Sequence, residues 1–307
     1  MTTQHPDTPE TGITPGGTSG AFRDVLSKDH ARRGKPPLHF VDMTPEQRVE
    51  KAAELGLPKF RVKQLANHYF GHFDVNAAEF TDFPAAKRSE AAAAFFPQLI
   101  TEVTRQVADE GTTIKTLWKL FDGSLIESVL MRYPTRTTLC ISSQVGCRMG
   151  CKFCASTIAG KVRDLTPSEM LDQVLFTQLD SGKDISNIVL MGIGEPLDNR
   201  ANVLRFLQLV NHPEGLNIGM RHISLSTCGL IEKIDKLADY RLQLTLSVSL
   251  HAPDDATRSR LMPVNHKWPV EELLQACRDY IAATGRRISF EYAMVRGVND
   301  SDACAEE

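Results

Sequence analysis

Cys140-Ile141-Ser142-Ser143-Gln144-Val145-Gly146-Cys147-Arg148-Met149-Gly150-Cys151-Lys152-Phe153-Cys154 ends with three thiols at C-x3-C-x2-C spacing, an aromatic residue standing just before the third. Cysteines this close on one loop can converge on a single metal centre. A structural zinc site wants four ligands in a closed tetrahedron, and a four-iron cluster held by cysteines normally takes four thiolates. A loop giving three to a cubane therefore leaves one iron open to a small molecule. On spacing alone, a zinc knuckle with Cys140 as fourth ligand stays open as the alternative. A disulfide framework is disfavoured, because seven cysteines in 307 residues make an odd, unevenly spaced set.

Downstream of this stretch the pattern alternates strand and helix. Leu139 to Ser143 reads as a strand leading into the loop, and Thr166-Pro167-Ser168-Glu169 caps a helix that stops at Ser181-Gly182. Further strands are expected at Asn187 to Met191, His222 to Leu225, Leu242 to Leu250 and Arg287 to Val295. Between the last two, Pro269 opens a helix with Val270, Leu273, Leu274, Cys277 and Ile281 on one face and Gly285 as its stop. Repeated strand-helix units imply parallel strands with right-handed crossovers. In such folds functional groups gather at the carboxyl ends of strands, which draws attention to Gly192, Gly194 and Glu195, to Ser226, and to Ser249-Leu250-His251. The glycines would let backbone approach a ligand closely.

Upstream, residues 112 to 133 alternate on either side of Asp122-Gly123, a tight-turn signal, so a β-hairpin is expected. On its second strand Glu127 shares a face with Leu125, Val129 and Met131 by period-two spacing. A carboxylate on an apolar face is costly unless paired or functional; by itself such a residue is more often a hairpin edge charge. Before the hairpin, Thr44-Pro45-Glu46-Gln47 starts one helix, a second follows Pro58 with Phe60, Val62, Leu65, Tyr69 and Phe70 available for packing, and a third runs from about Pro84 to Phe96. Residues 1–36, rich in Thr, Pro, Gly, Asp and Ser, are expected to be disordered. The expected division is thus a tail over 1–36, a helical accessory domain over 37–105, a β-hairpin extension over 106–136 and an α/β core over 137–307.

Hydrophobic residues make up 42% and charged residues 24%, an ordinary globular composition. No apolar run approaches a membrane span and no secretory pattern follows the amino terminus, so no membrane partner and a cytoplasmic location are expected. A net charge of −3 gives no global nucleic-acid footprint, and RNA binding would rest on local basic patches such as Lys59, Arg61 and Lys63.

Cys147-x3-Cys151-x-Phe153-Cys154 resembles the cluster loop of the radical S-adenosylmethionine (SAM) enzymes. The longer strings Leu139 to Cys147 and Met191-Gly192-Ile193-Gly194-Glu195-Pro196 resemble the RlmN/Cfr family of radical SAM RNA methyltransferases. The resemblance implies a partial (βα)6 barrel in which five strands are counted from Leu139 and the sixth is absent. It implies a [4Fe-4S] cluster on Cys147, Cys151 and Cys154, SAM on the open iron, and SAM contacts from Gly194, Glu195, Ser226, Ser249, Leu250 and His251. It makes Glu127 a proton acceptor and Cys140 the resolving cysteine of a transient disulfide. The implied substrate is adenine C2 in 23S rRNA and in tRNA beside the anticodon, with C8 methylation of the rRNA base as the alternative. A flavodoxin or ferredoxin is the implied electron donor, and the protein is expected to be a monomer. The methyl-carrying cysteine is expected in a carboxyl-terminal Ala-Cys-Gly segment; Cys304, in Asp302-Ala303-Cys304-Ala305, lacks the glycine, so the chain is expected to be a fragment that cleaves SAM without methylating RNA. A non-catalytic zinc- or RNA-binding module is the competing class.

Overall fold

The computed structural model describes residues 35–307 apart from 183 and 214; the expected disordered tail lies almost wholly outside the described residues. Three helices come first: α1, Pro45–Glu54; α2, Arg61–Asn67, which runs on into a wide turn, His68–His72; and α3, Ala85–Phe95. The start of α1 is dictated locally. Thr44 Oγ1 accepts from Gln47 N (3.2 Å) and Thr44 N donates to Gln47 Oε1 (2.9 Å), which satisfies two of the orphan donors of a helix end. Phe40, Leu65, Tyr69, Phe80, Phe95 and Phe96 form the aromatic core of this module, with Tyr69 and Phe96 stacked at 5.3 Å. Phe60, expected inside, is 59% exposed and carries Arg61 on its ring. Arg61 is itself engaged internally, donating to Gln64 Oε1 and to the carbonyl of Asp82.

The chain then enters a mixed sheet. Its antiparallel part is β1, Ile100–Ala108; β2, Thr113–Leu120; and β3, Leu125–Tyr133, followed by β4, Arg136–Cys140. Two short strands, β5 (Gln144–Val145) and β6 (Arg163–Asp164), pair with each other across the cysteine loop. The helix α4, Pro167–Ser181, has the expected capping box at Thr166 and ends at Gly182 in the left-handed region. There follow β7 (Asn187–Leu190), α5 (Arg200–Val210), β8 (Ile223–Thr227), α6 (Ile231–Ala238), β9 (Thr245–Ser249), α7 (Asp255–Leu261), α8 (Val270–Thr284), β10 (Ile288–Glu291) and α9 (Asp302–Glu306).

Among the described residues the sheet order is β1-β2-β3-β4-β7-β8-β9-β10. β4 is the junction, antiparallel to β3 and parallel to β7, and β7, β8, β9 and β10 continue in parallel. The α/β core is thus the five-stranded partial barrel expected. The hairpin, expected as an extension, is continuous with the barrel sheet, and β1 crosses the expected boundary at 105/106. β1 escaped the sequence reading because, after Ile100, all its residues are exposed: ladder pairing at a sheet edge, not a buried face, makes it a strand. Ile281 of α8, expected in the core, is exposed, and the helix buries Ala276 and Tyr280 instead. The last strand stops at Glu291, because Tyr292 to Val295 turn away into a loop held by Asn299. No helix among the described residues is long and apolar enough to cross a membrane.

Candidate active site

Register decides which side chains share the barrel lumen. Ile188, Leu190, Ile223, Leu225, Leu246 and Val248 are almost wholly buried beneath the helices. The alternate residues point the other way, since side chains alternate along a strand and directly paired residues share a face. Pairing runs Val129–Cys140–Val189–Ser224–Thr245 across one level, and Ser226–Ser247–Ser289 and Ser249–Glu291 above it. Apart from Val129 and Val189, the wall positions so paired carry hydroxyls, one thiol and one carboxylate, a surface suited to a polar ligand.

The cysteine loop closes the carboxyl end of this lumen. Gly146 (φ +70°) packs so tightly on Gly160 that a Cβ would lie 1.9 Å from the Gly160 carbonyl oxygen. Gln144 knits the loop to the segment after β7: its Nε2 donates to Asp164 (2.7 Å) and Asp198 (3.0 Å), and its Oε1 accepts from Glu195 N (2.9 Å). Asp198 also receives Lys161 Nζ (2.9 Å) and the guanidinium of Arg148. Burial opposes its charge, but Lys161, Arg148 and Gln144 outweigh it and hold the carboxyl at about 2. On the other side, Lys152 N donates to the Leu261 carbonyl at the end of α7 (2.8 Å), and the Phe153 ring meets His251 edge-on at 4.9 Å.

Cys147 and Cys151 are buried, and a cavity of about 460 Å³ lined by Gly150 to Ala155, Thr157 and Ile158 opens beside Cys151 and Cys154. Burial, then the neighbouring Cys147 and Cys154, push the Cys151 thiol up to about 12; burial raises Cys147 as well. In the metal-free chain these are protonated thiols, and a metal centre must displace their protons. Among the described residues no three His, Cys, Asp or Glu side chains close on one ion-sized point. The three thiols nevertheless lie near enough to oppose one another's ionisation, and in a cubane each thiolate holds a different iron. The donor set fits such a cluster: three soft sulfur ligands on a loop anchored at both ends.

The other expected residues surround this loop. Gly194 has φ +115°, and a Cβ there would lie 2.7 Å from Gln144 Cβ; a Cβ on Gly192 would lie 2.6 Å from the Ile141 carbonyl oxygen. At both positions a side chain would collide with the segment Ile141 to Gln144, so glycine is required there by the chain's own packing. Glu195 is buried, its Oε1 accepting from Leu197 N (3.0 Å) and its Oε2 from Cys228 N (2.8 Å). Burial raises its pKa against these bonds, and the side chains of Cys228 and Thr227 also hydrogen-bond the carboxylate. Ser226 and Ser249 stand on the lumen face. Leu250 is used through its main chain, donating to the Glu291 carbonyl (3.0 Å) and accepting from Arg258 Nε (3.0 Å). His251 has φ 58°, and its Nδ1 accepts from Ala293 N (2.9 Å), which leaves the ring proton on Nε2. Burial lowers its pKa, so the ring is neutral near pH 7.

Cys140 faces the lumen from β4; burial, with Glu291 adding to it, carries its thiol up to about 11, although Met191 N donates to the sulfur. Glu127 does not sit on the buried face of β3, which consists of Ile126, Ser128 and Leu130. Its carboxylate is half exposed and pairs with Lys115 Nζ at 3.2 Å, while its carbonyl accepts from Ser142 Oγ (2.6 Å). Cys277 and Cys304 lie in helices and Cys228 in the loop after β8, as expected. Sequence reasoning missed Asp198, Glu291 and Arg258. The guanidinium of Arg258 is fully buried and donates to Cys228 O (2.8 Å), Ser249 O (3.1 Å), Leu250 O (3.0 Å) and Asn265 Oδ1 (2.8 Å), welding the ends of β8 and β9 together.

Comparison with known proteins agrees with this geometry. The radical SAM superfamily profile matches residues 141–305. The chain is 67% identical over 310 residues to a protein of Bifidobacterium longum named "Probable dual-specificity RNA methyltransferase RlmN", covering 98% of this chain and 80% of that one. A protein of the same name from Thermobifida fusca is 49% identical, covering 88% and 76%. A crystal structure of a radical SAM methyltransferase from Sphaerobacter thermophilus superposes with a TM-score of 0.82 at 42% identity, covering 88% of this chain and 80% of that one.

Proposed function

Because the chain belongs to the RlmN family of radical SAM RNA methyltransferases, we propose that it methylates C2 of an adenine in 23S rRNA and of the adenine beside the anticodon in tRNA. That carbon lies between two ring nitrogens and is too electron-poor to attack an electrophilic methyl group. When bound, the [4Fe-4S] cluster and SAM supply the electron and the 5′-deoxyadenosyl radical that open another route.

The chain's own residues have distinct tasks. Cys147, Cys151 and Cys154 would hold the cluster, and the Gln144–Asp198 latch fixes their loop against Gly194 and Glu195. Glu195 is the carboxylate for the SAM ammonium, and Ser226, Ser249 and the main chain at Leu250 and His251 shape the lumen around the remainder. Cys140, a protonated thiol on the lumen wall, is the resolving cysteine: its sulfur bonds to the methyl-bearing sulfur as the sulfur–carbon bond to the base breaks with its electron pair on carbon, and that carbon takes the proton the thiol gives up, so the methylated base leaves. Glu127 is the proton acceptor, exchanging Lys115 for the substrate. Among the described residues Cys228 and Cys277 are buried and Cys304 is helical, and none is assigned the methyl-bearing role. A flavodoxin- or ferredoxin-type donor supplies electrons to a monomeric, cytoplasmic enzyme.

The observation that carries this reading is the convergence, at the carboxyl end of one parallel sheet, of the anchored three-cysteine loop, the Gly194–Glu195 segment and a lumen-facing Cys140. The test is nucleoside mass spectrometry of rRNA and tRNA from a deletion strain complemented with this chain joined to a carboxyl-terminal segment that carries the methyl-bearing cysteine. Return of 2-methyladenosine in both RNAs supports the proposal; 8-methyladenosine in rRNA overturns the C2 assignment.

A further inference from the structure

A second cavity, of about 510 Å³, lies where the amino-terminal module meets α4, and it shares no residue with the one beside the cysteine loop. Its size suits a small organic molecule. Asp172 lines it from α4, on the same face as Phe176 one turn on, and is only 4% exposed. Tyr69 Oη donates to its Oδ1 over a long 3.4 Å, and among the described residues no hydrogen bond reaches Oδ2. A carboxylate buried in this way is costly unless a cation meets it. In the empty chain the acid stays protonated: burial, then Asp42 and Glu169, raise it well above the usual carboxylate range, against the bond from Tyr69.

The rest of the wall defines what would replace that proton. Asp74 and Glu79 line the same cavity, and among the described residues no lysine or arginine does. Asp74 gives Oδ2 to His68 Nδ1 (3.0 Å) and keeps Oδ1. Phe73, Phe96 and Phe176 supply ring faces, which attract organic cations. His39, also on the wall, adds no charge, since burial lowers its pKa to about 3. Three carboxylates and three aromatic rings around one cavity are the complement of a flexible chain carrying several ammonium groups.

We propose that this cavity binds an aliphatic polyamine, with one ammonium on Asp172, the others on Asp74 and Glu79, and the methylene chain against the phenylalanine rings. A lysine side chain from another protein has a single ammonium and would leave two of the carboxylates unused. The entering ammonium takes the place of the Asp172 proton, which passes to solvent. Because the wall is drawn from both the amino-terminal module and α4, the bound ligand ties the two together.

The test is isothermal titration calorimetry of the reconstituted, cluster-loaded chain with spermidine, 1-aminobutane and magnesium chloride. 1-Aminobutane presents one ammonium, as a lysine side chain does, and magnesium reports general attraction to an acidic surface. Spermidine should bind at one site, about tenfold or more tightly than either. Asp172→Asn is close in shape to the neutral acid and should weaken spermidine about tenfold or more, the scale of a hydrogen bond to a charged group. Glu79→Gln, at an exposed position, should weaken it about threefold, the scale of a surface ion pair, and serves if the asparagine variant does not fold. Absence of saturable spermidine binding, an affinity no better than that of 1-aminobutane or magnesium, or wild-type affinity in the folded variant overturns the inference.

Discussion

Replacing Asp198 by asparagine removes the charge that latches the cysteine loop to the segment after β7. The size of the effect follows from the site. The folded carboxyl titrates at about 2 against an ordinary value of 3.8, and that difference, at ~1.4 kcal/mol per tenfold in proton affinity, sets an upper limit of about 2.5 kcal/mol. Arg148, one of its two cations, is 62% exposed, and its share is screened by solvent; Lys161 and Gln144 are sheltered. A loss of about 1–2 kcal/mol at pH 7 is therefore expected. Because the folded pKa is depressed, this stabilisation is present above the unfolded value near 4 and is lost as pH falls through the folded one near 2. The assay is urea unfolding of wild type and Asp198→Asn, followed by far-UV circular dichroism, at pH 7, 4 and 2.5. The gap between the two proteins should be full at pH 7 and shrink towards pH 2. A gap below about 0.3 kcal/mol at pH 7, within ordinary surface-substitution noise, or one that does not change with pH, would refute the latch.

Changing Cys151 to Ala should abolish the iron–sulfur absorbance of reconstituted protein, whereas changing Cys140 to Ala should leave it intact, since Cys140 lies on the strand and outside the loop; visible spectra and iron assay decide. Gly194→Ala should destabilise the chain by more than ~1 kcal/mol in urea, because the left-handed backbone strains any side chain and the new methyl meets Gln144. His68 sits between Asp74 (3.0 Å) and Asp82 (2.7 Å). Burial disfavours its charge, but the two carboxylates prevail and raise its pKa above the usual value. Its stabilisation is whole below the unfolded value and is lost as pH rises through the raised folded one, so the urea midpoint should decline above about pH 6.5, and Asp82→Asn should flatten that decline.

Much of the scaffold was legible because its signals are local. The boxes at Thr44 and Thr166 act within four residues, Asp122-Gly123 makes its turn from its own dihedrals, and C-x3-C-x2-C declares a metal loop without reference to the rest of the chain. What escaped depends on pairing across distance. Ser226 and Ser249 stand out in the sequence only as strand-end residues, and Ser224, Ser247 and Ser289 not at all; only the register of β8, β9 and β10 gathers them on one wall with Glu291. Gln144 and Asp198 are 54 positions apart and meet because two loops leave the same end of the sheet. Glu127 shares a face with Leu125, Val129 and Met131 as the spacing predicts, but apolar residues occur on both faces of β3 and the buried one is the other. The tie was broken by Ser128, which looks polar in sequence but is buried against Trp118 Nε1 at 2.8 Å.

Every role proposed for the site depends on reductive cleavage of SAM by the three-cysteine loop and the lumen beside it. The most direct measurement is 5′-deoxyadenosine, quantified chromatographically after anaerobic reconstitution of the protein and incubation with SAM and dithionite. The wild type should hold about four irons per chain, as a cubane requires, and form 5′-deoxyadenosine, while Cys151→Ala should form none. Stoichiometric zinc without iron, or 5′-deoxyadenosine in equal amount from both proteins, would contradict the account.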